Sequence, residues 1–402
     1  MKNYVIIGGG TAGINCIEGI RSLDPAGKIT LISEEPVSNY GRPLISYYLE
    51  GKTDLSRMSY RGGDFYERNR VAALHGRKAE KLLPEKQQVL LSDGKALPYD
   101  ELCLCTGSTP FVPPMKGLDK VKNKFSFFTL SDAQALERAV TPESRVLILG
   151  GGLIGLKAAE GLRDRVKEIT VCDLAGHVLQ SILQPDSAAL VEAHLKKNGL
   201  ILKLGVTADE FAESSALLSS GERVDFDVLV LAVGVRSNTA LLKEAGGKAE
   251  RGIITDSAMR TSLPHVYAAG DCVGPYLILP HAAMQGLCAG RNMAGGSETV
   301  PEDVPMNSIG FFGLHLMTAG SCPEGAEVYE EQGKNTLKRL FVKDDLLRGF
   351  LLLGNVERAG IYTVLIREKR PLSTLDFEAV KKSPGLLPFG AQYRGQKLGG
   401  VV

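Results

Sequence analysis

The sequence lacks any apolar run approaching the roughly 20 residues that a membrane-spanning helix needs. Met1-Lys2-Asn3 lead directly into a strand-like segment without the anatomy of a signal peptide. Charge imbalance is missing too: 47 Lys and Arg stand against 46 Asp and Glu, a formal net charge of +1. Nucleic-acid and polybasic membrane roles need a concentrated positive field, so neither is expected. The seven cysteines are odd in number, scattered and without a C-x-x-C pair. They read as reduced thiols in a cytoplasmic chain rather than as a disulfide framework, and they give no support for a metal site.

What is present fits a soluble α/β enzyme. The chain has 402 residues, 44% of them apolar and 23% charged, with 46 glycines. Its length favours two or three domains, and the glycines invite a search for phosphate-binding turns.

That search finds one βαβ pattern twice. The strand Tyr4-Val5-Ile6-Ile7 is followed by Gly8-Gly9-Gly10-Thr11-Ala12-Gly13, a helix to about Leu23 and a strand at Ile29 to Ile32. The strand Val146 to Leu149 is followed by Gly150-Gly151-Gly152-Leu153-Ile154-Gly155, a helix to about Arg165 and a strand at Ile169 to Cys172. In each G-x-G-x-x-G the first glycine permits a tight turn. The second lets the backbone approach a pyrophosphate, the third lets helix and strand pack closely, and the helix N-terminus faces the phosphates.

An acidic residue follows each repeat, Glu34 after the first and Asp173 at the end of the second, placed to bond ribose hydroxyls. Asp173 would repel a 2′-phosphate, and Leu174-Ala175-Gly176 supply no cation to hold one, so NADH is expected over NADPH.

Between the repeats, Gln88 to Tyr99 reads as a hairpin around Ser92-Asp93-Gly94, and Glu101 to Cys105 as a strand ending in Thr106-Gly107-Ser108. The run Pro110 to Pro114 suggests a domain crossing. Val228 to Val233, ending in Gly234-Val235-Arg236-Ser237-Asn238, suggests the return. Val266-Tyr267-Ala268-Ala269 should be a buried strand delivering Gly270-Asp271, where Asp271 reads either as a ligand or as a helix cap. From Pro305 the texture changes to alternating strands, including Leu337 to Val342 and Leu346 to Leu353. The stretch from Ser383 is rich in Gly and Pro and should be loosely ordered alone.

The paired fingerprints, Thr106-Gly107-Ser108, Ala232-Val233-Gly234 and Ala269-Gly270-Asp271, in this order, resemble the FAD-dependent pyridine nucleotide-disulfide oxidoreductase superfamily over residues 1 to about 375. Asn39-Tyr40-Gly41-Arg42-Pro43-Leu44-Ile45-Ser46 and Leu347-Arg348-Gly349 to Arg358-Ala359-Gly360 resemble its rubredoxin reductase and nitrite reductase flavoprotein branch. The resemblance implies two Rossmann-like dinucleotide-binding domains in a glutathione reductase-like arrangement plus a small α+β C-terminal domain. Their expected extents are 1–112 with 238–304 for FAD, 113–237 for NAD, 305–375 for the small domain and 376–402 for the tail.

The resemblance further implies that the FAD site uses Gly8, Gly10, Thr11, Ala12, Gly13, Glu34, Arg42, Pro43, Ser46, Thr106, Gly107, Gly270, Asp271, His281 and Gln285. The NAD site would use Gly150, Gly152, Leu153, Ile154, Gly155, Asp173 and Gly234. His281 reads equally as a structural cap.

Departures from the pattern carry information as well. Disulfide- and peroxide-reducing relatives place a redox cysteine where this chain has Tyr40, so no thiol relay is expected. Cys103 and Cys105, two apart on a strand, point to one face and read as buried and inert rather than as a redox pair. Lys157 stands where relatives often place a glutamate. It reads either as an exposed helix lysine or as a cation that tunes the flavin.

The expected function is an FAD-dependent oxidoreductase. It exchanges a hydride with NADH and electrons with an iron–sulfur or rubredoxin-like protein, as an oligomer or as a subunit of a complex such as a phenylglyoxylate-type 2-oxoacid dehydrogenase. The alternatives are a stand-alone NADH oxidase or nitrite reductase flavin module, and a non-catalytic flavin redox sensor.

Overall fold

The computed structural model describes residues 1–274, 276–302 and 304–385. The chain forms two compact units, one of residues 1–174 with 206–301 and one of residues 175–205 with the segment from 302 onward. Most of the Gly/Pro-rich tail, from residue 386, lies outside the described residues.

The first unit runs β1 (Asn3–Ile7), α1 (Thr11–Leu23), β2 (Lys28–Ser33), α2 (Ile45–Leu49), β3 (Val71–His75) and β4 (Glu101–Leu104). It continues through β5 (Lys124–Ser126), α3 (Leu130–Ala139), β6 (Arg145–Leu149), α4 (Leu153–Leu162) and β7 (Glu168–Asp173). It closes with β8 (Val228–Leu231), β9 (Val266–Ala268) and α5 (Leu279–Met293).

Two sheets carry this unit. The first has the order β9-β4-β1-β2-β3, and in the second β7-β6-β8-β5 are neighbours in that order, every one of these pairs parallel. A parallel sheet is covered on both faces, so its strands read as continuous apolar runs. Alternate residues of β1 show it: Tyr4 and Ile6 pack with Ile14, Ile17 and Ile20 of α1, whereas Val5 and Ile7 pack with Leu102, Leu104 and Val266. Short strands at Ser108–Pro110 and Val235–Ser237 pair antiparallel, so the two chain segments leaving β4 and β8 run as one ribbon.

Helix α5 lies on α1 at backbone contact. A Cβ added at Gly286 or at Gly290 would sit 2.1 Å from the carbonyl oxygen of Ala12 or Cys16 respectively. The glycine spacing along α5 is thus a packing requirement that fixes both helices over the first fingerprint.

In the second unit, β10 (Met306–Phe311), β11 (Leu314–Gly320), β12 (Glu327–Gln332), β13 (Leu337–Lys343) and β14 (Leu346–Leu353) form an antiparallel sheet of order β10-β11-β14-β13-β12. Helix α6 (Ala359–Arg367) covers it, with Tyr362 and Leu365 packed against Leu340, Phe350 and Leu352. A short helix at Phe377–Lys382, capped by Asp376, adds Val380 to this core. This short helix is thus anchored to the sheet's core through Val380, with Phe377 packed beside it.

Candidate functional site

The two fingerprints build the same cradle. Gly8 has φ +117° and Gly150 φ +113°, and a Cβ at either would lie 2.0 Å from Cys105 O or 2.2 Å from Ala232 O. The third glycines are as constrained: a Cβ at Gly13 would be 2.0 Å from Gly8 O, and one at Gly155 would be 1.9 Å from Gly150 O. The middle glycines differ, since a Cβ at Gly10 or Gly152 meets nothing within 4 Å. Those two positions border open space.

Helices α1 and α4 both start there, with Gly10 and Gly152 as N-caps, no side-chain cap and no acidic residue in the first turn. Thr11 and Ala12 open α1, and Leu153 and Ile154 open α4. Uncapped N–H groups and the positive end of the helix dipole thus stand beside glycines whose missing side chains leave open space. That is what a pyrophosphate requires, so the residues present fit a dinucleotide in each cradle.

The β strands put the acidic residues in different places. Ile7 pairs with Ile32, and Leu149 with Cys172, so Asp173 corresponds to Ser33 and Glu34 stands one residue further on. Asp173 Oδ2 accepts the Gly151 N–H at 2.5 Å, which turns its carboxylate to the rim of the second cradle. Glu34 is 72% exposed at the edge of the first, with Lys78 Nζ at 3.5 Å.

At the carboxyl ends of β4 and β9 the chain is tightly pinned. Asn238 Nδ2 donates to Thr106 O at 2.8 Å, Thr106 Oγ1 donates to Asn238 O at 2.9 Å, and Asn238 N donates to Gly107 O at 2.9 Å. Asp271 Oδ2 accepts the Ser108 hydroxyl at 2.9 Å, and its carbonyl accepts the Ser237 hydroxyl at 2.6 Å. The N-cap of α5 is Ile278, with no side-chain cap, so neither Asp271 nor His281 caps that helix. His281 and Gln285 are buried and hydrogen-bonded to one another. Gly234, at the end of β8, has φ +117° and open space where a Cβ would be.

Arg42 donates to Glu35 Oε1 at 2.5 Å and to Phe128 O at 2.7 Å, with its guanidinium 4.9 Å from the Phe128 ring centre. Tyr40 completes the cluster, donating to Glu35 Oε2 at 2.7 Å and accepting the Leu130 N–H at 3.0 Å. Burial pushes the Tyr40 hydroxyl well above its ordinary range, so it stays protonated. Pro43 opens the turn before α2, and the buried Ser46 donates to its carbonyl at 3.2 Å.

Helix α2 then packs on α4. A Cβ at Gly161 would lie 2.9 Å from Leu49 Cβ and 3.0 Å from Ser46 O. Tyr48 donates to Glu137 Oε2 of α3 at 2.7 Å.

Lys157 departs from the expectation of an exposed helix lysine. Its side chain is 16% exposed, ion-paired with Glu160 one turn on, and its ammonium lies 4.8 Å from the Tyr47 ring centre. A cation paired in this way presents a dipole rather than a full charge to its surroundings, which weakens the long-range field expected of it.

Cys103, in β4, and Cys105, just past its end, are both buried with Sγ atoms 3.5 Å apart. For Cys103, the bond from Cys105 lowers the thiol, while the bond from Cys16 and burial raise it, and the net shift is upward. A raised, buried thiol is a poor nucleophile.

Sequence reading missed Glu35, Tyr47, Glu160 and the Ser108–Asp271 bond. The i, i+3 spacing of Lys157 and Glu160 and the position of Ser108 in the Thr-Gly-Ser turn were available signals. Among the described residues no group of three or more His, Cys, Asp or Glu could hold a metal, and no helix is long and apolar enough to cross a membrane.

Comparison with known proteins agrees with this geometry. Residues 2–286 match the pyridine nucleotide-disulphide oxidoreductase family. The chain is 30% identical to the epsilon subunit of NADH-dependent phenylglyoxylate dehydrogenase from Aromatoleum evansii, over 92% of this chain and 93% of that one. It is 30% identical to the nitrite reductase [NAD(P)H] of Bacillus subtilis (strain 168) over 92% of its own length, spanning 48% of that longer protein. It is also 30% identical to the rubredoxin-NAD(+) reductase of Alcanivorax borkumensis, over 96% and 100%. Its fold matches the crystal structure of the covalent putidaredoxin reductase-putidaredoxin complex with a TM-score of 0.86, at 24% identity over 95% of this chain. The chain belongs to the pyridine nucleotide-disulphide oxidoreductase family and is an FAD-dependent NAD(H) oxidoreductase.

Proposed function

We propose that the first fold holds FAD and the second NADH, and that the chain exchanges electrons with an iron–sulfur or rubredoxin-like protein as a subunit of a larger complex. The observation that carries this reading is the duplication: two open cradles with uncapped helix starts stand in one unit.

In the first fold, Gly10, Thr11 and the helix start of α1 bind the FAD pyrophosphate, Glu34 the adenosine ribose and Asp271 the ribityl chain. Thr106, Gly107 and Gly270 bring backbone close to the cofactor, and Arg42, Pro43 and Ser46 shape its far end. In the second fold, Gly152 and the start of α4 bind the NADH pyrophosphate. Asp173, oriented by Gly151, bonds the ribose and disfavours NADPH.

When bound, FAD supplies hydride acceptance from NADH together with the capacity to release electrons singly. The protein's part is to orient the two dinucleotides and exclude water. Tyr40 is held protonated inside a hydrogen-bond cluster and the buried thiols are raised, which supports electron exit to a partner protein rather than through a cysteine relay. Similarity to the phenylglyoxylate dehydrogenase epsilon subunit along nearly all of that protein supports the subunit role.

The test is anaerobic stopped-flow mixing of FAD-loaded protein with NADH or NADPH, followed by a one-electron dye or oxygen. Fast bleaching by NADH, with fast dye and slow oxygen reoxidation, is expected. Fast oxygen reaction would point instead to an oxidase, and absence of bleaching would overturn hydride transfer.

A further inference from the structure

The first two turns of α5 carry a hydrogen-bonded chain whose polarity is fixed from one end. The Gly270 backbone N–H, which can only donate, lies 2.8 Å from Gln285 Oε1, so the amide oxygen is the acceptor there. The other arm of that amide, Nε2, is therefore the donor, and it stands 2.8 Å from His281 Nε2. A donor at this distance needs a lone pair on the ring nitrogen. The imidazole proton must then sit on Nδ1, and the ring is neutral.

Any other form of the ring would set donor against donor. The amide could escape only by turning over, which would bring its NH2 against the Gly270 N–H. Neither arrangement is tolerable out of water, and His281 is 8% and Gln285 4% exposed.

The peptide held in this way matters because of where it lies. Gly270 has φ +84°, and a Cβ on it would be 2.9 Å from Ala12 Cβ, so it rests on the first turn of α1. The next residue is Asp271, pinned on its other side by Ser108 and Ser237.

We propose that His281 is a positioning residue: as an acceptor at Nε2 it orients the Gln285 amide, which fixes the Gly270 peptide and with it the Asp271 turn that receives FAD. The inference rests on the first fold being the FAD site. It assigns His281 a role through Gln285.

The experiment compares FAD dissociation constants, by fluorescence titration, for the wild-type chain, His281→Leu and His281→Gln, with melting temperatures measured on each. A glutamine carbonyl reaches the place of Nε2 and only accepts there, whereas leucine offers nothing to the amide. His281→Leu should weaken FAD about tenfold, roughly 1.4 kcal/mol, and His281→Gln should return to within about twofold of wild type. Histidine 15N spectra give an independent readout. Among the six histidines, the signal lost in His281→Gln should show a protonated Nδ1 and an unprotonated Nε2 at neutral pH. A protonated Nε2, or leucine matching wild type while wild type binds FAD tightly, overturns the positioning role alone. A wild-type chain that takes up no FAD overturns the reading of the first fold, and the positioning role with it.

Discussion

Lys157 and Glu160, one turn apart on α4, form an ion pair drawn largely out of solvent, with 16% and 6% of their side chains exposed, beneath the ring of Tyr47. Removing only the cation leaves a buried carboxylate deprived of it, a loss far larger than that of a surface pair. Lys157→Met should therefore destabilise the chain by about 3 kcal/mol. The double variant Lys157→Met/Glu160→Leu should recover most of that loss. Urea unfolding of the set checks it, and additive losses would refute the coupling.

The middle glycines should separate binding from folding. Gly10→Ala places its Cβ in open space, so its cost to the fold should stay within about 1 kcal/mol, while FAD affinity falls at least about tenfold. Gly13→Ala drives a Cβ against Gly8 O and should lose both. Gly152→Ala should raise the KM for NADH with FAD content unchanged. FAD occupancy, melting temperature and KM measured on the three variants decide the matter.

Asp173 predicts coenzyme choice. Loss of its carboxylate in Asp173→Ser should raise the KM for NADH about tenfold and narrow the preference over NADPH, because the ribose partner and the repulsion disappear together. An unchanged ratio of kcat/KM for the two coenzymes would count against the placement.

Gly161 predicts a steric effect at the contact of α2 with α4. A Cβ there meets Leu49 Cβ at 2.9 Å and Ser46 O at 3.0 Å, so Gly161→Ala should cost about 1–3 kcal/mol. Differential scanning calorimetry would show the drop in melting temperature.

Acid should weaken the loop after α1. Asp24 accepts the N–H groups of Gly27 at 2.8 Å and Ala26 at 2.9 Å and the Tyr4 hydroxyl at 2.8 Å, and these bonds hold its carboxyl below the usual range, the Gly27 N–H most of all. A depressed folded value means the contribution is complete above the unfolded value of about 3.9 and disappears as pH falls through the lower folded one. Asp24→Asn should therefore flatten stability against pH below about pH 4 while changing little in its slope above pH 5. A wild-type slope preserved in the variant would assign it to other carboxylates.

Much of the fold was legible because its determinants are local. A strand covered on both faces must be apolar throughout, so β1, β4, β6 and β8 announce themselves. The turn after β1 demands a left-handed residue at Gly8 and a missing side chain at Gly13 whatever else the chain does. The side-chain partners were another matter. Arg42 was read as a cofactor neighbour, yet its guanidinium is engaged by Glu35 and by Phe128, 86 residues on. Nothing in the local sequence of Lys157 says that Tyr47 will cover it.

The sequence by itself determined the two βαβ repeats, their cradles and the order of the elements, since glycine sterics and apolar periodicity act within a few residues. Only the tertiary structure decided that Asp173 turns onto Gly151, that Tyr47 covers the Lys157 ammonium and that the Gln285 amide meets both the Gly270 N–H and His281 Nε2. Those outcomes depend on which donor meets which acceptor across distant or folded-back segments. Burial makes each such meeting obligatory, because a polar group out of water must find a partner.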